Sequence, residues 1–392
     1  MLQSNFENNV LTISFEGKID SLNAPKVEEE LEAILAKYPA EEIILDCDKL
    51  EYTTSAGLRV ILRLKQKVDN TRIINVHPEI YEIFDMTGFT EMMDIQKAYR
   101  VVSVEGCEVI GQGANGKVFR IDRDTIVKVY LNPDSLTEIH HERELARTAF
   151  VLGIPTAIPY DVVRIESGGY GSVYELLNAV SFAKLLVSGE KTIDEVAEMS
   201  INMLKLIHSK VVKPEKMPDM KQTALNWASF LKDHLPSDQF EKLYALIDAV
   251  PEDMHIMHGD YHLKNVMYQN GECLLIDMDT ICRGHPVFEF ASIYNAYCGY
   301  SALNHSQVEN FLGISYETAQ AFWRKSLELY FGTTDDAVLQ SIEDKAKIIG
   351  YTRIMRRSIR RDGLNTEAGR AEIGHCREVL AELLPKTDTL LF

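Results

Sequence analysis

The sequence lacks several features that would assign it to common classes of protein. No apolar segment is long enough to span a bilayer, and the first nine residues are polar, which argues against a signal peptide. The six cysteines are dispersed and form no CxxC pair, so reduced thiols are expected rather than disulfides or a zinc site. Together these absences indicate a cytoplasmic protein that neither crosses nor binds a membrane.

Positive charge is also scarce. The 392 residues carry a formal net charge of −18, whereas nucleic-acid binding needs a basic face that neutralises phosphates. We therefore expect no nucleic-acid partner. The exception is the arginine-rich segment 353–361, for which a solvated helix face is the simplest interpretation and anion binding the alternative. Negative charge would suit a cationic substrate, but it is common among bacterial cytosolic proteins and decides little.

The most specific chemical signal is the string HGDYHLKN at residues 258–265, followed by LLIDMD at residues 274–279. In phosphoryl transfer a carboxylate orients the attacking hydroxyl and accepts its proton, while a neutral and an anionic oxygen ligand hold Mg²⁺. Asp260 fits the first role, and Asn265 with Asp277 fits the second. The alternative is a turn whose Asp and Asn only bond to their own backbone.

A glycine-rich stretch upstream argues against that alternative. Residues 109–119, VIGQGANGKVF, predict a strand, a glycine turn and a second strand. Gly111, Gly113 and Gly116, together with Val118, match the loop that covers the phosphates in kinases. Glycines alone could equally form a tight hairpin or a dinucleotide fingerprint. The fingerprint requires a helix directly after the glycines, whereas residues 117–121 continue as a strand.

A single lysine, Lys128, lies in the apolar strand that follows. A lysine in such a strand is unfavourable unless its ammonium meets an anion. The expected anions are nucleotide phosphates and a helix carboxylate from Glu142 or Glu144. We favour Glu144, because residues 145–152 after it have the helix pattern expected there.

These elements, in this order, resemble the aminoglycoside phosphotransferase and choline kinase branch of the kinase-like fold. The HGDYHLKN string replaces the HRD-type string of protein kinases, and IDMD at residues 276–279 replaces DFG. Residues 204–209 resemble the LxxLH helix of this branch, and residues 284–291 resemble its GDPxxDLA segment, with Glu289 where Asp is usual. The resemblance extends from residue 104 to about residue 384, and it is weak where substrates are usually recognised.

The resemblance implies a two-lobed α+β kinase-like fold that uses ATP or GTP with Mg²⁺. Residues 104–178 would form the N-terminal lobe and residues 179–392 a largely helical C-terminal lobe. The hinge between them would bind the base through the backbone of residues 175–178, with Glu175 and Leu177 as the contact positions.

The implied catalytic residues are Asp260, which positions the acceptor hydroxyl, and Lys128, which contacts the phosphates and is fixed by Glu144. Asn265 and Asp277 would hold Mg²⁺. Asp279 either supports the metal site from outside or bonds only to backbone.

The first hundred residues have a different pattern, of strands alternating with amphipathic helices. We predict strands at residues 10–17, 42–47 and 72–76, and helices at residues 24–37 and 80–86, with residues 50–62 running from a strand end into a helix. This order, and the string TTSAGLRVIL at residues 53–62, resemble the STAS domain of anti-sigma-factor antagonists. The resemblance implies an α/β domain with a mixed sheet over residues 1–103.

In that family a serine at the start of this helix is phosphorylated, and it aligns with Ser55. A helix N-terminus offers free N–H groups and a favourable dipole to a phosphate. The alternative is that Ser55 only caps its helix. Thr54 stands where the antagonists usually carry Asp.

Two functions follow from the whole chain. In the first, a phosphotransferase moves the γ-phosphate to a hydroxyl of a small molecule, or of a protein Ser or Thr, and the STAS domain regulates it or binds a partner. In the second, the STAS domain is the output that binds an anti-sigma-type partner, and the kinase-like part senses a nucleotide with little turnover. The first is favoured, because a binding module would not need Asp260.

Overall fold

The computed structural model describes residues 2–113 and 116–392, and its internal contacts divide the chain into two compact units. The first comprises residues up to Ser103 together with Val162–Gly168, and the second comprises Val104–Asp161 with Gly169–Phe392. The segment Val162–Gly168 falls within the stretch that the sequence assigns to the kinase-like N-terminal lobe. Across the described ranges, no helix is both long and apolar enough to cross a membrane.

Strands and helices alternate along the first unit, as the sequence pattern predicts. In chain order they are β1 (Gln3–Glu7), β2 (Val10–Ile19), α1 (Ala24–Lys37), β3 (Glu42–Thr53), α2 (Ser55–Lys67), β4 (Thr71–Val76), α3 (Pro78–Met86), α4 (Phe89–Met92), β5 (Ile95–Lys97) and β6 (Arg100–Val102).

The sheet of this unit is mixed and has the order β1-β2-β3-β4-β5. The pair β1 and β2 is antiparallel, whereas the three following pairs are parallel. Parallel neighbours require a crossover, and the helices α1, α2 and α3 supply it. Alternate residues of β2, which are Leu11, Ile13 and Phe15, are buried against the helices, so period-two alternation identified this strand correctly.

The start of α2 shows why its sequence is TTSAG. Thr54 is the N-cap, because its side chain accepts a hydrogen bond from the backbone N–H of Ala56 at 3.3 Å. Ser55 is the first helical residue and is exposed, so the interpretation of Ser55 as the cap is wrong. At Gly57 the helix approaches the sheet closely: a Cβ there would press on Thr53 Oγ1 and lie 2.8 Å from Ile19 Cγ2.

The second unit begins with strands around one helix. In chain order the elements are β7 (Glu108–Gln112), β8 (Gly116–Arg120), β9 (Thr125–Tyr130), α5 (Leu136–Val151), β10 (Asp161–Ile165) and β11 (Tyr170–Glu175). The strands β7, β8, β9 and β11 pair antiparallel in the spatial order β7-β8-β9-β11. Residues Val163–Ile165 of β10 belong to the first unit, where they pair in parallel with β6.

The rest of the second unit is mostly helical, as predicted. Its elements are β12 (Val180–Ser181), α6 (Phe182–Val187), α7 (Ile193–His208), α8 (Met220–Phe230), α9 (Ser237–Asp248), β13 (Ile256–Met257), β14 (Val266–Gln269), β15 (Glu272–Leu275), β16 (Cys282–Arg283), α10 (Pro286–Tyr297), α11 (Ser306–Leu312), α12 (Tyr316–Phe331), α13 (Asp336–Arg360) and α14 (Glu367–Leu383).

Two short sheets hold the loops that carry the HGDYHLKN and IDMD strings. One has the order β12-β14-β15, and the other pairs β13 with β16. The first loop, residues 258–265, runs from β13 to β14, and the second, residues 276–281, runs from β15 to β16. Both loops rest on the helical core, in which Phe290, Tyr297 and Phe322 are fully buried. The sheets therefore fix both ends of each loop.

Candidate active site

The ammonium of Lys128 on β9 lies 2.9 Å from one carboxylate oxygen of Glu142 on α5 and 3.2 Å from the other. Two phenols also donate to this carboxylate: Tyr130 at 2.6 Å and Tyr174 at 3.2 Å. Burial, followed by the negative charge of Glu142, raises the pKa of both phenols, so they remain protonated donors. Glu142 is only 4% exposed, and this set of donors compensates its burial.

The prediction that Glu144 fixes Lys128 is therefore wrong. The side chain of Glu144 is 57% exposed and its carboxylate lies 4.0 Å from Lys216 Nζ. The phase of the helix is the reason: Ile139, Glu142 and Ala146 share the buried face of α5, whereas Glu144 is two residues from Glu142 and points elsewhere. The sequence signal that could have identified Glu142 is its spacing of three and four residues from the apolar Ile139 and Ala146, which places all three on one face of the helix.

Lys128 also contacts the IDMD string of the predicted site. Its ammonium lies 2.8 Å from Asp277 Oδ1 in the IDMD loop. Burial alone would lower the pKa of this ammonium, but the charges of Glu142 and Asp277 outweigh burial and raise the pKa above its usual value. Lys128 is therefore a permanent cation between a buried carboxylate and a half-exposed one.

Asp260 and Asn265 are held together by the fold of the HGDYHLKN loop. The side-chain amide of Asn265 donates to the backbone carbonyl of Asp260 at 3.0 Å, and its own backbone carbonyl accepts from Ile276 N–H at 3.0 Å. The second bond ties the loop to the IDMD loop, one residue before Asp277. The structure thus places Lys128, Asn265 and Asp277 in one region with Asp260, which is the arrangement that the sequence predicts.

The carboxylate of Asp260 is kept ionised by its neighbours. Partial burial would raise its pKa, but the hydrogen bond and charge of His262, and then the charge of Arg353, lower it to about 2. The Asp260 side chain remains 41% exposed, with Oδ2 at 3.5 Å from His262 Nε2. A carboxylate that is both ionised and accessible can accept a hydrogen bond from an incoming hydroxyl.

Glu289, which replaces the usual Asp of its segment, clamps the start of the loop. It is completely buried on α10, and its carboxylate oxygens accept the backbone N–H groups of His258 and Gly259. Gly259 has φ +79°, and a Cβ there would collide with the carbonyl oxygen of Thr280. The Glu at this position therefore performs a structural task, and the loop permits only glycine beside it.

The carbonyl of Gly259 is bound by Ser292, which is itself held by Arg353, a residue that the sequence assigned mainly to a solvated face. The carbonyl of Gly259 accepts from Ser292 Oγ at 2.9 Å, and Arg353 Nη1 donates to Ser292 Oγ at 2.9 Å. Arg353 is half-buried and lies on α13. For Arg353 the solvated-face interpretation is wrong, because the packing of α13 brings its side chain to the HGDYHLKN loop.

The predicted nucleotide-binding positions lie on the strands and connections of the second unit. Gly111 and Gly116 lie in the paired strands β7 and β8, with Val118 opposite Gly111, and Gly113 N–H donates to Gly116 O at 2.9 Å. Residues 114–115 of this predicted phosphate loop lie outside the described residues.

The predicted hinge follows β11, which ends at Glu175. Leu176 N–H donates to Asp124 O at 2.9 Å. For the half-buried Leu177, no acceptor of its backbone N–H is found within residues 2–113 and 116–392. A backbone donor in this state suits the edge of a nucleotide base.

The donor set at Asn265 and Asp277 fits Mg²⁺. The Asn265 amide nitrogen is used by Asp260 O, which leaves its amide oxygen to face a cation, and Asp277 supplies a carboxylate. Mg²⁺ takes one or two carboxylates and completes its octahedron with water and phosphate oxygens. In the described part of the chain no cluster of three or more His, Cys, Asp or Glu could hold a metal ion. Asp277 also has φ +60°, a sparsely populated conformation that is common at functional sites.

Comparison with known families assigns both units. The model of the family described as "Phosphotransferase enzyme family" matches residues 106–320, more than half of the chain. The chain belongs to this family. The STAS domain model matches residues 2–102. The family match covers the paired lysine, both loops and Glu289, so the predicted resemblance of both parts is confirmed.

Several curated relatives match the STAS domain. The putative anti-sigma factor antagonist BtrV of Bordetella bronchiseptica is 31% identical over 90 residues, which are 22% of this chain and 77% of its own length. The anti-sigma F factor antagonist of Paenibacillus polymyxa is 27% identical over 90 residues, with the same coverage of both chains. The STAS domain is therefore a homologue of anti-sigma factor antagonists.

Among solved structures, one similar fold is that of a thermostable mutant of the aminoglycoside phosphotransferase APH(4)-Ia, in ternary complex with AMP-PNP and hygromycin B. The TM-score is 0.51, the sequence identity is 12%, and the alignment covers 73% of this chain and 95% of that chain. This similarity confirms the kinase-like fold of the second unit.

Proposed function

We propose that the second unit transfers the γ-phosphate of ATP or GTP to a hydroxyl group of a small molecule, with the STAS domain as a regulatory or partner-binding module. The observation that carries this proposal is the set of contacts from Glu142 through Lys128 to Asp277, together with Asn265, which bonds to Asp260 and to Ile276, the neighbour of Asp277. Such a set aligns a triphosphate with an accessible carboxylate.

Each of these side chains has a defined task in the transfer. Lys128, held by Glu142, binds phosphate oxygens and neutralises part of their charge. The hinge backbone at Glu175 and Leu177 binds the base, and the strands at Gly111, Gly113, Gly116 and Val118 cover the phosphates. Mg²⁺ bound by Asn265 and Asp277 would supply positive charge that screens the triphosphate.

Asp260 acts on the acceptor. The hydroxyl oxygen of the acceptor forms a bond to the γ-phosphorus, the bond from this phosphorus to the β-phosphate bridging oxygen breaks, and the nucleoside diphosphate leaves. The proton of the hydroxyl passes to Asp260. With a pKa of about 2, Asp260 is a weak base, so its main contribution is to orient the hydroxyl through a hydrogen bond until the new bond has largely formed.

The test is nucleotide consumption by the purified full chain against a panel of hydroxyl compounds, with mass spectrometry of the protein itself. The proposal expects Mg²⁺-dependent release of nucleoside diphosphate that requires one acceptor, together with a phosphorylated product. Tight nucleotide binding without acceptor-dependent release would instead support the alternative, in which the kinase-like unit only senses the nucleotide.

For the STAS domain we propose binding to a regulatory protein of the anti-sigma type. The curated relatives support this, as does Ser55, which is exposed at the start of α2. Within the described residues its hydroxyl takes part in no hydrogen bond, since Thr54 provides the cap. A phosphate on Ser55 would add roughly −1.5 to −2 charges at a helix N-terminus, enough to change the choice of partner.

Whether the chain modifies itself is a separate question, which labelled ATP answers. We expect the phosphotransferase unit to act on a small molecule, as most of the resembled branch does, and therefore expect no label on Ser55. Label on Ser55 in the wild type, but not in Asp260→Asn, would show self-modification and would contradict this expectation.

A further inference from the structure

The helix α13 carries a row of arginines on one side. Arg353, Arg356, Arg357 and Arg360 are spaced at i, i+3, i+4 and i+7, so they share one face of the helix, here called the arginine face. Arg353 is nearest to the catalytic loop, since Arg353 Nη1 lies 3.5 Å from Gly259 O and lowers the pKa of Asp260. Arg357 and Arg360 follow at about 6 and 10 Å along the helix axis. The arginine face therefore starts at Arg353, next to the loop that carries Asp260, and extends away from that loop.

The arginine face is not neutralised by the protein. Across residues 2–113 and 116–392 no salt bridge joins any of its four members to a carboxylate, whereas in the same unit Arg283 pairs with Asp219 and with Glu252. Arg356 shows the consequence: its Nε is buried without a hydrogen-bond acceptor in the described part of the chain. Burial, and then the positive charge of Arg360, lower the pKa of Arg356. A half-buried guanidinium with an unsatisfied N–H, such as that of Arg356, is unfavourable unless an acceptor such as a bound anion reaches it.

Three aromatic rings border this face. The guanidinium of Arg353 lies 5.5 Å from the ring centre of Trp227. That of Arg356 lies 5.6 Å from Phe230, and that of Arg357 lies 4.6 Å from Tyr300. Stacking on a ring holds a guanidinium in one orientation and leaves its N–H edge available for a planar or tetrahedral oxyanion.

Helix-dipole stabilisation explains only part of the row. Arg357 and Arg360 are in the last turn of α13, where cations are favourable. Arg353 lies a full turn or more earlier, and Arg356 is half-buried with an N–H that has no acceptor among the described residues. The dipole supplies no reason for those two.

We propose that the acceptor substrate is anionic: a small hydroxyl compound whose carboxylate or phosphate group binds to the arginine face while its hydroxyl meets Asp260. This proposal rests on the proposed function and names its substrate class. The net charge of −18 decides little about the acceptor, whereas the arginine next to the loop that carries Asp260 is positive: Arg353 Nη1 lies 3.5 Å from Gly259 O.

Binding tests the proposal without requiring turnover. The chain has two tryptophans: Trp227 borders the arginine face, and Trp323 is buried at 3% exposure. We expect the fluorescence of Trp227 to change saturably on titration with glycerol phosphate or glycerate, at saturating AMP-PNP and Mg²⁺ so that the nucleotide phosphate site is already filled. Glycerol, and an aminoglycoside, should produce no such change. The relative response to glycerol phosphate and glycerate identifies which anion is preferred.

Variants that each remove one positive charge distinguish binding at the arginine face from a general effect of net charge. Arg356→Gln and Arg357→Gln should each weaken the binding of the anionic probe by about tenfold, or 1.4 kcal/mol. Arg361→Gln is the matched control, because Arg361 is the exposed C-cap residue next to the face, and it should leave binding unchanged. Trp227→Phe should abolish the optical signal and so establish its source.

The possible results distinguish a failure of the anionic substrate class from a failure of the proposed phosphoryl transfer. Saturation by glycerol or an aminoglycoside but not by the anions, or equal loss in Arg357→Gln and Arg361→Gln, overturns the anionic acceptor and leaves phosphoryl transfer intact. Anion binding that depends on Arg356 and Arg357 supports the inference. If that binding is present while no hydroxyl compound is phosphorylated, the proposed function fails and the anion site stands.

Discussion

Lys128 is paired with Glu142, at 2.9 Å, and with Asp277, at 2.8 Å, so one ammonium links the helix α5 to the IDMD loop. Because Glu142 is 4% exposed and receives two further phenol hydrogen bonds, it fixes the position of Lys128 in the second unit. In the proposed transfer, the lysine would bind phosphate oxygens without first reorganising.

The first prediction compares two glutamates of the same helix. Glu142→Gln should lower kcat/KM by about tenfold to a hundredfold and destabilise the second unit on the order of 3 kcal/mol, because it removes one partner of a buried ion pair. Glu144→Gln is the control and should change neither, since Glu144 is largely exposed. Steady-state kinetics and urea unfolding of the two variants measure both effects.

The same pair permits a double-mutant cycle. Lys128→Ala and Glu142→Ala act on one geometry, so their combined loss in kcat/KM should be much less than the product of the two single losses. Multiplicative losses would mean that the two residues act independently and that the pair is not the functional unit.

The cap of α2 gives a prediction for the STAS domain. Thr54→Ala should lower the free energy of unfolding of this domain by about 1 kcal/mol, because it leaves the backbone N–H of Ala56 without its side-chain acceptor. Ser55→Ala should cost less than half as much. Chemical denaturation of both variants measures the difference, and a larger loss in Ser55→Ala would restore Ser55 as the cap.

Gly57 and Gly374 are both helical glycines, but a side chain has space at only one of them. Gly57→Ala should destabilise the STAS domain by about 1–3 kcal/mol, because the new Cβ would press on Thr53 and Ile19. Gly374→Ala on α14 has open space around its Cβ and should stabilise its unit by roughly 0.5–1 kcal/mol. Thermal unfolding of the two variants, followed by hydrogen exchange to separate the units, is the measurement.

The pKa of Asp260 fixes a pH dependence. Its pKa is lowered from 3.8 to about 2 in the folded chain, so its ionised form contributes stability above pH 3.8 that is lost as the pH falls through about 2. The difference in the free energy of unfolding between wild type and Asp260→Asn should therefore be nearly constant from pH 6 to pH 5 and should shrink as the pH falls from 3.8 to about 2. A difference that does not change over that lower range would indicate a pKa that is not lowered.

The sequence identifies local signals well and tertiary contacts poorly. Asp260, Asn265 and Asp277 could be singled out from the sequence because their proposed roles depend on spacing within two short loops. The choice between Glu142 and Glu144 depended on helix phase, which the position of Ile139 on the buried face of α5 would have shown.

Other contacts had no local signal. Arg353 donates toward Gly259 across 94 residues, and Glu289 binds the backbone of His258 across 31. These contacts arise only when α10 and α13 pack against the HGDYHLKN loop. The basic segment 353–361 was visible in the sequence, but its proximity to Asp260 was not.

Asp260→Asn separates the role of this carboxylate in transfer from nucleotide binding, when both are measured on the same preparation at saturating acceptor. Because the carboxylate acts on the acceptor, the nucleotide Kd should stay within about threefold of wild type, less than 1 kcal/mol, while the rate of transfer falls by about two orders of magnitude or more. Asp277→Ala should instead weaken the binding of the Mg²⁺–nucleotide complex itself. Transfer that proceeds at the wild-type rate in Asp260→Asn would show that Asp260 does not orient the acceptor hydroxyl.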